Sequence, residues 1–383
     1  MRFIHTADWH LGRIFHGQHL TEDQSYLLQD FLRMVTETKA EAVILAGDIY
    51  DRAVPPTEAV ELFDEVLAKL LLEKKVKVFF IAGNHDSASR IGFGSRLFAG
   101  QGLFVQGLLT KTMAPVVLED SYGPVYFSLL PYMEPSTVRS VFRIEEMMDF
   151  DAATGTVVEQ AAAKIPAGRR SVAVAHAFIA GGQSSESERP LSVGGSSNVG
   201  AGWFRPFSYT ALGHLHNAQP AGAENIRYSG SLMKYSFDEA GQKKSLAVVE
   251  MDGTGQVTAE FLPLVPKHDV CRVKGSMAEI LQNREKYPCS EDYMLVELTD
   301  SGAVLDAHGK LEKVYPNLMQ IERPGLLQSG ELREHGTSYI GRPDDVLFAD
   351  FFQDMTGEAL DEAQQQALKV SMEELWRAER EGK

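Results

Sequence analysis

The feature that most constrains this chain is a junction that recurs five times. A short run of apolar, β-branched or aromatic residues stops, and a polar cluster follows at once. The clusters are Asp8-Trp9-His10, Gly47-Asp48-Ile49-Tyr50-Asp51, Gly83-Asn84-His85-Asp86, His176 after Val172-Ala173-Val174-Ala175, and Gly213-His214-Leu215-His216. Runs of this kind read as buried strands of a layered α/β domain. In such folds ligand sites gather beyond the carboxyl ends of the strands, so the five clusters are predicted to converge on one edge. Asp8 with His10, and His214 with His216, are spaced i to i+2, which in extended backbone points both side chains to one side. The glycines at 47, 83 and 213 allow a sharp turn or a close approach directly after each strand.

The remaining pattern supports two packed sheets flanked by helices up to about residue 265. Strands are predicted over 2–5, 42–46, 76–82, 125–130, 172–175, 209–212 and 246–250, and amphipathic helices over 23–38 and 57–72, the second introduced by Pro55 and Pro56. Six serines and five glycines fill residues 181–200. That stretch is predicted to be a long loop, of the kind that often sits over a site. After Pro263 and Pro266 the composition shifts to a small α+β unit, with strands over 270–273, 293–298 and 318–321 and a helix over 305–314. Ser276 and Glu279 have the spacing of a capping box. Residues 343–383 hold eleven Asp or Glu against four Lys or Arg. They read as two acidic amphipathic helices hinged near Gly357, whose apolar residues, Phe348, Phe351 and Phe352 among them, suit a partner groove better than the chain's own core. The expected domains are therefore 1–265, 266–340 and 341–383.

Charge and composition narrow the chemistry. Lys and Arg number 37 against 53 Asp and Glu, a net charge of −16. This argues against a general basic coat for nucleic acid or membrane, so any polyanion must be met by local positive charge. No apolar run reaches membrane-spanning length, and the polar His5-Thr6-Ala7-Asp8 stands where a signal peptide would be apolar. A cytoplasmic protein with no membrane partner is expected. Cys271 and Cys289 are the only cysteines, too few for a disulfide framework. Carboxylate, amide oxygen and imidazole without thiolate form a mixed set that favours Mn²⁺, Fe²⁺ or Zn²⁺ over Ca²⁺.

The five clusters together resemble the calcineurin-like metallophosphoesterase superfamily, whose pattern is DxH, GDxxD, GNHD, a lone H and GHxH. More narrowly, Ile4 to Gly12, Ala46 to Arg52, and Ser187-Glu188-Arg189-Pro190-Leu191-Ser192-Val193-Gly194-Gly195 resemble the bacterial SbcD nuclease family, and the likeness covers nearly the whole chain. The resemblance implies an α/β (α+β four-layer) metallophosphoesterase sandwich with a small α+β capping domain and a C-terminal helical partner-binding segment. It also implies two divalent ions, Mn²⁺ before Mg²⁺. Asp8, His10, Asp48 and His216 would hold one, and Asp48, Asn84, His176 and His214 the other. His85 would be the catalytic group that stabilises phosphoryl charge or protonates the leaving oxygen, with the Asp51 carboxylate orienting it.

By the same resemblance the chain is expected to be a 3′-to-5′ double-strand exonuclease and hairpin endonuclease. It would act on DNA ends and hairpins with the SbcC ATPase, as a homodimer within a heterotetramer at the nucleoid, in repair and recombination. Arg13, His16, His19, Arg52, Arg90 and Arg96 follow the motifs and are candidates to meet phosphates. Two other functions use the same residues differently: a phosphomonoesterase or phosphoprotein phosphatase, and a non-catalytic adaptor that keeps only the fold.

Overall fold

The computed structural model describes residues 1–146, 148–188, 198–287, 291–300, 304–324, 343–356 and 359–381. By its contacts the chain divides into two compact units, Met1–Val270 and Cys271–Lys383.

The first unit is built on two six-stranded sheets. One runs in the order Val257–Pro263, Ser245–Met251, Arg2–Thr6, Ala42–Leu45, Lys77–Ile81, Leu103–Gln106. Its last four strands are parallel, and the first two join antiparallel. The other runs Gln219–Ala223, Ile226–Tyr228, Tyr209–Gly213, Arg170–His176, Gly123–Leu130, Val116–Asp120, with its middle four strands parallel and its outer two antiparallel. Side chains alternate between the two faces of each strand. Phe3, Ile44 and Phe79 of the first sheet therefore meet Phe127, Val174 and Tyr209 of the second in one core, with Phe79 stacked on Phe127 at 4.4 Å.

The outer faces are closed by helices. Helix Thr21–Glu37 buries Leu27, Leu28, Phe31 and Val35, and helix Thr57–Ala68 buries Ala59, Leu62, Phe63 and Val66. Phe63 reaches Phe80 of the first sheet at 5.4 Å, and Trp9 packs edge-on against both Phe31 and Phe63. On the second sheet, helix Phe150–Ala162 sets Ala153, Val157 and Val158 against Leu130, Ala175 and Leu212. The result is the helix, sheet, sheet, helix layering expected of the sequence. Each Leu, Val or Phe so buried contributes about 1.5–3 kcal/mol of transfer free energy.

Several details differ from the sequence reading. The helix expected over 57–72 gives way after Ala68 to a π-helical turn, Lys69–Glu73. Strands Leu103–Gln106, Val116–Asp120, Gln219–Ala223, Ile226–Tyr228 and Val257–Pro263 were not anticipated. Most of them lie at or beside sheet edges, where half-exposed residues break the apolar run. Of the loop expected over 181–200, residues 189–197 lie outside the described residues.

In the second unit, Val270–Gly275, Tyr293–Leu298 and Leu318–Glu322 form a three-stranded sheet, the last two parallel. Helices Met277–Gln282 and Ala307–Glu312 contribute Ile280 and Leu311 to its core beside Met294 and Val296. Ser276 and Glu279 form the capping box. The helix expected over 305–314 starts only at Ala307, because the Asp306 carboxylate accepts from Gly309 N at 3.2 Å and fixes the start there. Helices Asp344–Thr356 and Glu362–Glu381 follow; Gly357, the expected hinge, lies outside the described residues. Among the described residues no helix is long and apolar enough to cross a membrane.

His5 lies in the core of the first unit, where its burial costs stability in acid. His5 is fully buried; its Nε2 donates to Leu212 O at 3.1 Å and its Nδ1 accepts from the Tyr209 hydroxyl at 3.0 Å. Burial pushes the imidazole down to about 3, with Arg227 adding to the push and the Leu212 hydrogen bond opposing it. The unfolded chain takes this proton near 6.5, so the stability is fully present above that pH. It is lost as pH falls from 6.5 toward 3, by up to about 1.4 kcal/mol per pH unit. His5→Gln should therefore flatten the acid limb of a denaturation profile relative to wild type. Parallel limbs would show that His5 does not control it.

Candidate metal centre

All five clusters leave their strands at the same edge of the first unit. Asp8 and His10 follow Arg2–Thr6, Asp48 follows Ala42–Leu45, and Asn84 and His85 follow Lys77–Ile81. His176 ends Arg170–His176, and His214 and His216 follow Tyr209–Gly213. The chain turns abruptly at these points. Asp8, His10, Asp48 and His214 hold φ values of 52°, 44°, 49° and 108°. Each such conformation costs of order 1–3 kcal/mol and persists where the surroundings over-determine it, which is common at functional sites.

The three glycines are required for close approach. A Cβ on Gly83 would lie 2.1 Å from Asp48 Oδ1, one on Gly47 would lie 2.4 Å from His176 Nδ1, and one on Gly213 would lie 2.0 Å from Ala46 O. Asp86, the last residue of the Gly83-Asn84-His85-Asp86 cluster, ties the turns together. Its carboxylate accepts from Gly83 N at 2.9 Å, Tyr50 N at 3.0 Å and Ile49 N at 3.1 Å. Burial, and then Asp48, push its carboxyl up to about 7.

The seven expected ligands come together, and His85 with them. Asp8, His10 and His216 form one group of donor atoms within 4.8 Å of one another; Asp48, His176 and His214 form a second, and His10, Asp51 and His85 a third. Asp48 Oδ2 lies 3.3 Å from His176 Nε2 and 3.8 Å from His10 Nε2, so this carboxylate stands between the first two groups. Asn84 Oδ1 is 2.9 Å from His176 Nε2 and 3.2 Å from His214 Nδ1. Asp8, His10, Asp48, His85, His176, His214 and His216 are each 5% exposed or less.

The donor atoms face one another in a way that suits cations. His176 Nδ1 donates to Ala46 O at 2.9 Å, which turns Nε2 toward the Asn84 and Asp48 oxygens, where it can carry a proton or give that place to a cation. His10 Nε2 lies only 3.1 Å from His216 Nε2. His10 Nδ1 has no hydrogen-bond partner among the described residues. Two carboxylates buried among imidazole nitrogens this close call for positive charge, from ring protons or from cations. The titration shifts express the same frustration. Burial pushes Asp8 well up, and Asp48 adds to it against the pull of His176. Burial also raises Asp48, but His176, His85 and His10 outweigh it and hold that carboxylate well below its usual range. His176 rises to about 9 despite its burial, because Asp48 and Asp8 flank it.

The expectation for Asp51 needs correction. The His85 Nδ1 proton goes to the Asp51 peptide carbonyl at 2.8 Å, not to its carboxylate. The carboxylate is taken by Arg13 Nη1 at 2.9 Å, and it lies 3.6 Å from His10 Nδ1. The turn after strand Ala42–Leu45 brings the Asp51 backbone under His85, which no side-chain pattern encodes. Arg13, a candidate phosphate contact, is thus partly committed to Asp51, and its guanidinium also lies over the Tyr235 ring at 5.1 Å. The sequence reading also missed the residues that hold His216: Ser187, Glu188, Glu239 and Lys244. Ser187 and Glu188 were visible only as part of a resemblance, and Glu239 and Lys244 carried no signal at all.

Comparisons with known proteins show the family. Residues 1–142 match the calcineurin-like phosphoesterase family, and residues 266–356 match the family described as type 5 capsule protein repressor C-terminal domain. The SbcD subunit of the SbcCD nuclease of Staphylococcus epidermidis is 31% identical over 374 residues, covering 96% of this chain and 97% of that one. The chain belongs to the SbcD family. Among solved structures, a dimetal phosphatase from Danio rerio overlaps 69% of this chain and 98% of its own at 13% identity, with a TM-score of 0.41. The calcineurin-like phosphoesterase YfkN of Bacillus subtilis overlaps 69% and 90% at 13% identity, with a TM-score of 0.38. The SbcD family lies within the calcineurin-like phosphoesterases, whose fold implies divalent metal ions, and the clusters around Asp8 and Asp48 supply the oxygen and nitrogen donors such ions take.

Proposed function

We propose that this chain is the DNA nuclease subunit of an SbcCD-type complex, a two-metal phosphodiesterase that uses Mn²⁺ or Mg²⁺. The observation that carries the reading is the set of buried acceptors meeting at Asp48, on a chain related along its whole length to the SbcD subunit of an SbcCD nuclease. Asp8, His10 and His216 would hold one ion, Asn84, His176 and His214 the other, and Asp48 would serve both. When bound, the ions supply Lewis-acid polarisation of a phosphoryl oxygen and lower the pKa of attacking water.

The chain's own residues do the rest. The glycine turns and Asp86 hold the donor loops at fixed separation. His85 Nδ1 is anchored on the Asp51 carbonyl, and Nε2 lies 4.0 Å from Asp48 Oδ2, on the side of the donor cluster. From there it is placed to stabilise phosphoryl charge or to give a proton to the leaving 3′-oxygen. Asp51 neutralises Arg13 beside His10 and keeps that guanidinium at the rim of the site.

On this reading the substrates are DNA ends and hairpins, cut by 3′-to-5′ exonuclease and endonuclease action in repair and recombination in the cytoplasm. The partner is the SbcC ATPase, engaged through helix Asp344–Thr356 with exposed Phe348 and Phe351, in a heterotetramer that contains two copies of this chain. The 266–340 segment would be a DNA-binding domain. With Mn²⁺ the purified chain should cut a hairpin DNA and shorten a 5′-labelled duplex to a ladder, while leaving a phosphopeptide largely intact. Release of the label as a mononucleotide would reverse the polarity. Preference for the phosphopeptide would make the chain a phosphatase, and no hydrolysis of either would leave only an adaptor.

A further inference from the structure

The atoms that hold the His216 ring come from outside the five clusters. His216 Nδ1 lies 2.6 Å from Ser187 Oγ and 3.2 Å from Glu239 Oε1, and Ser187 Oγ is itself hydrogen-bonded to Glu239 Oε1. A hydroxyl has one proton to donate, and an ionised carboxylate can only accept. The Ser187 proton therefore goes to Glu239, and Ser187 accepts from His216 Nδ1–H. With the ring proton on Nδ1, Nε2 keeps its lone pair, and Nε2 is the atom 3.1 Å from His10 Nε2.

Lys244 keeps Glu239 in that role. Its Nζ donates to Glu239 Oε2 at 2.6 Å, Gln242 Oε1 at 2.7 Å and His216 O at 2.8 Å, which uses all three of its protons. Tyr235 N donates to the same carboxylate at 3.3 Å, and Ser236 Oγ, which is also hydrogen-bonded to Asp238 Oδ1, lies 3.0 Å from it. Glu239 is fully buried and Lys244 nearly so. A buried polar network in which the lysine spends every proton is rigid, and rigidity is what a histidine ligand needs from the group behind it.

We propose that Glu239, clamped by Lys244 and acting through Ser187, is a positioning residue that fixes the His216 tautomer with Nε2 free for the cation shared with Asp8 and His10. The inference rests on the metal-centre reading above, and concerns which residue outside the ligand set makes that site competent.

Glu239→Gln keeps the size and changes the polarity. Lys244 still requires an acceptor, so the amide oxygen turns to Lys244 and the amide NH₂ to Ser187. Ser187 then donates to His216 Nδ1, and the ring proton moves to Nε2. In Mn²⁺ titrations of the full chain, wild type is expected to take up two ions. The E239Q variant should keep one and bind the second about 10- to 100-fold more weakly. Adding Lys244→Met frees the amide to turn its oxygen to Ser187, and affinity should recover; a merely structural Glu239 would make the double variant worse. Imidazole ¹⁵N spectra of the metal-free wild type, assigned by the signals lost in His216→Gln, should show the Nδ1–H tautomer whether or not the variants fold. The Nε2–H tautomer there, or equal Mn²⁺ affinity in wild type and E239Q, overturns the inference. An Nδ1–H tautomer in a wild type that takes up no Mn²⁺ overturns the metal-centre reading instead.

Discussion

Gly83→Ala, the addition of one methyl group, should abolish tight Mn²⁺ binding and lower hydrolysis by at least about 10²-fold. The new Cβ would meet Asp48 Oδ1 at 2.1 Å and Asp48 N at 2.4 Å. The side chain alone cannot escape, because the backbone nitrogen is as close a neighbour as the carboxylate. The same Oδ1 is also held by His85 N, which donates to it at 2.9 Å. The loop must move, and overpacking of this kind costs about 1–3 kcal/mol. Displacing the Asp48 carboxylate by about 1 Å is enough for a roughly 10²-fold loss in rate. Gly100→Ala is the control, since a Cβ there meets nothing within 4 Å and should leave binding and rate unchanged. Two Mn²⁺ ions bound at wild-type affinity in Gly83→Ala would show that Asp48 does not organise the centre.

His85→Ala should separate chemistry from metal binding. On the proposed reading His85 is not a ligand, so both ions should still bind, while hydrolysis falls by about 10²- to 10⁴-fold as an acid or charge stabiliser is lost. The competing possibility is in the geometry itself, because His10, Asp51 and His85 also place donor atoms within 4.8 Å. If that group held a cation, His85→Ala would lose metal in proportion to activity. Titration with Mn²⁺ beside single-turnover rates decides between them. Unchanged rates would remove His85 from the mechanism altogether.

The legible part of the site was the part encoded locally. Asp8 with His10, and His214 with His216, are neighbours along the backbone, and each cluster sits where an apolar run ends. Buried parallel strands show themselves in sequence because both faces are covered. Edge strands such as Val116–Asp120, with alternate residues half exposed, did not. Asp51 shows the limit from another side. Its carboxylate was the natural choice to orient His85, yet the peptide carbonyl does so, and a backbone atom leaves no trace in residue identity.

By itself the sequence determined the layered α/β class, the five strand ends and the donor types gathered there, because strand burial and turn chemistry depend on residues close in the chain. Tertiary structure alone decided that the Asp51 carbonyl takes the His85 proton, that Asp86 ties two turns together, and that Glu239 and Lys244 stand behind His216. Those relations join segments tens to hundreds of residues apart. They arise only when two sheets pack face to face and their loops are pressed to one edge, and no local propensity specifies which buried polar atoms then meet.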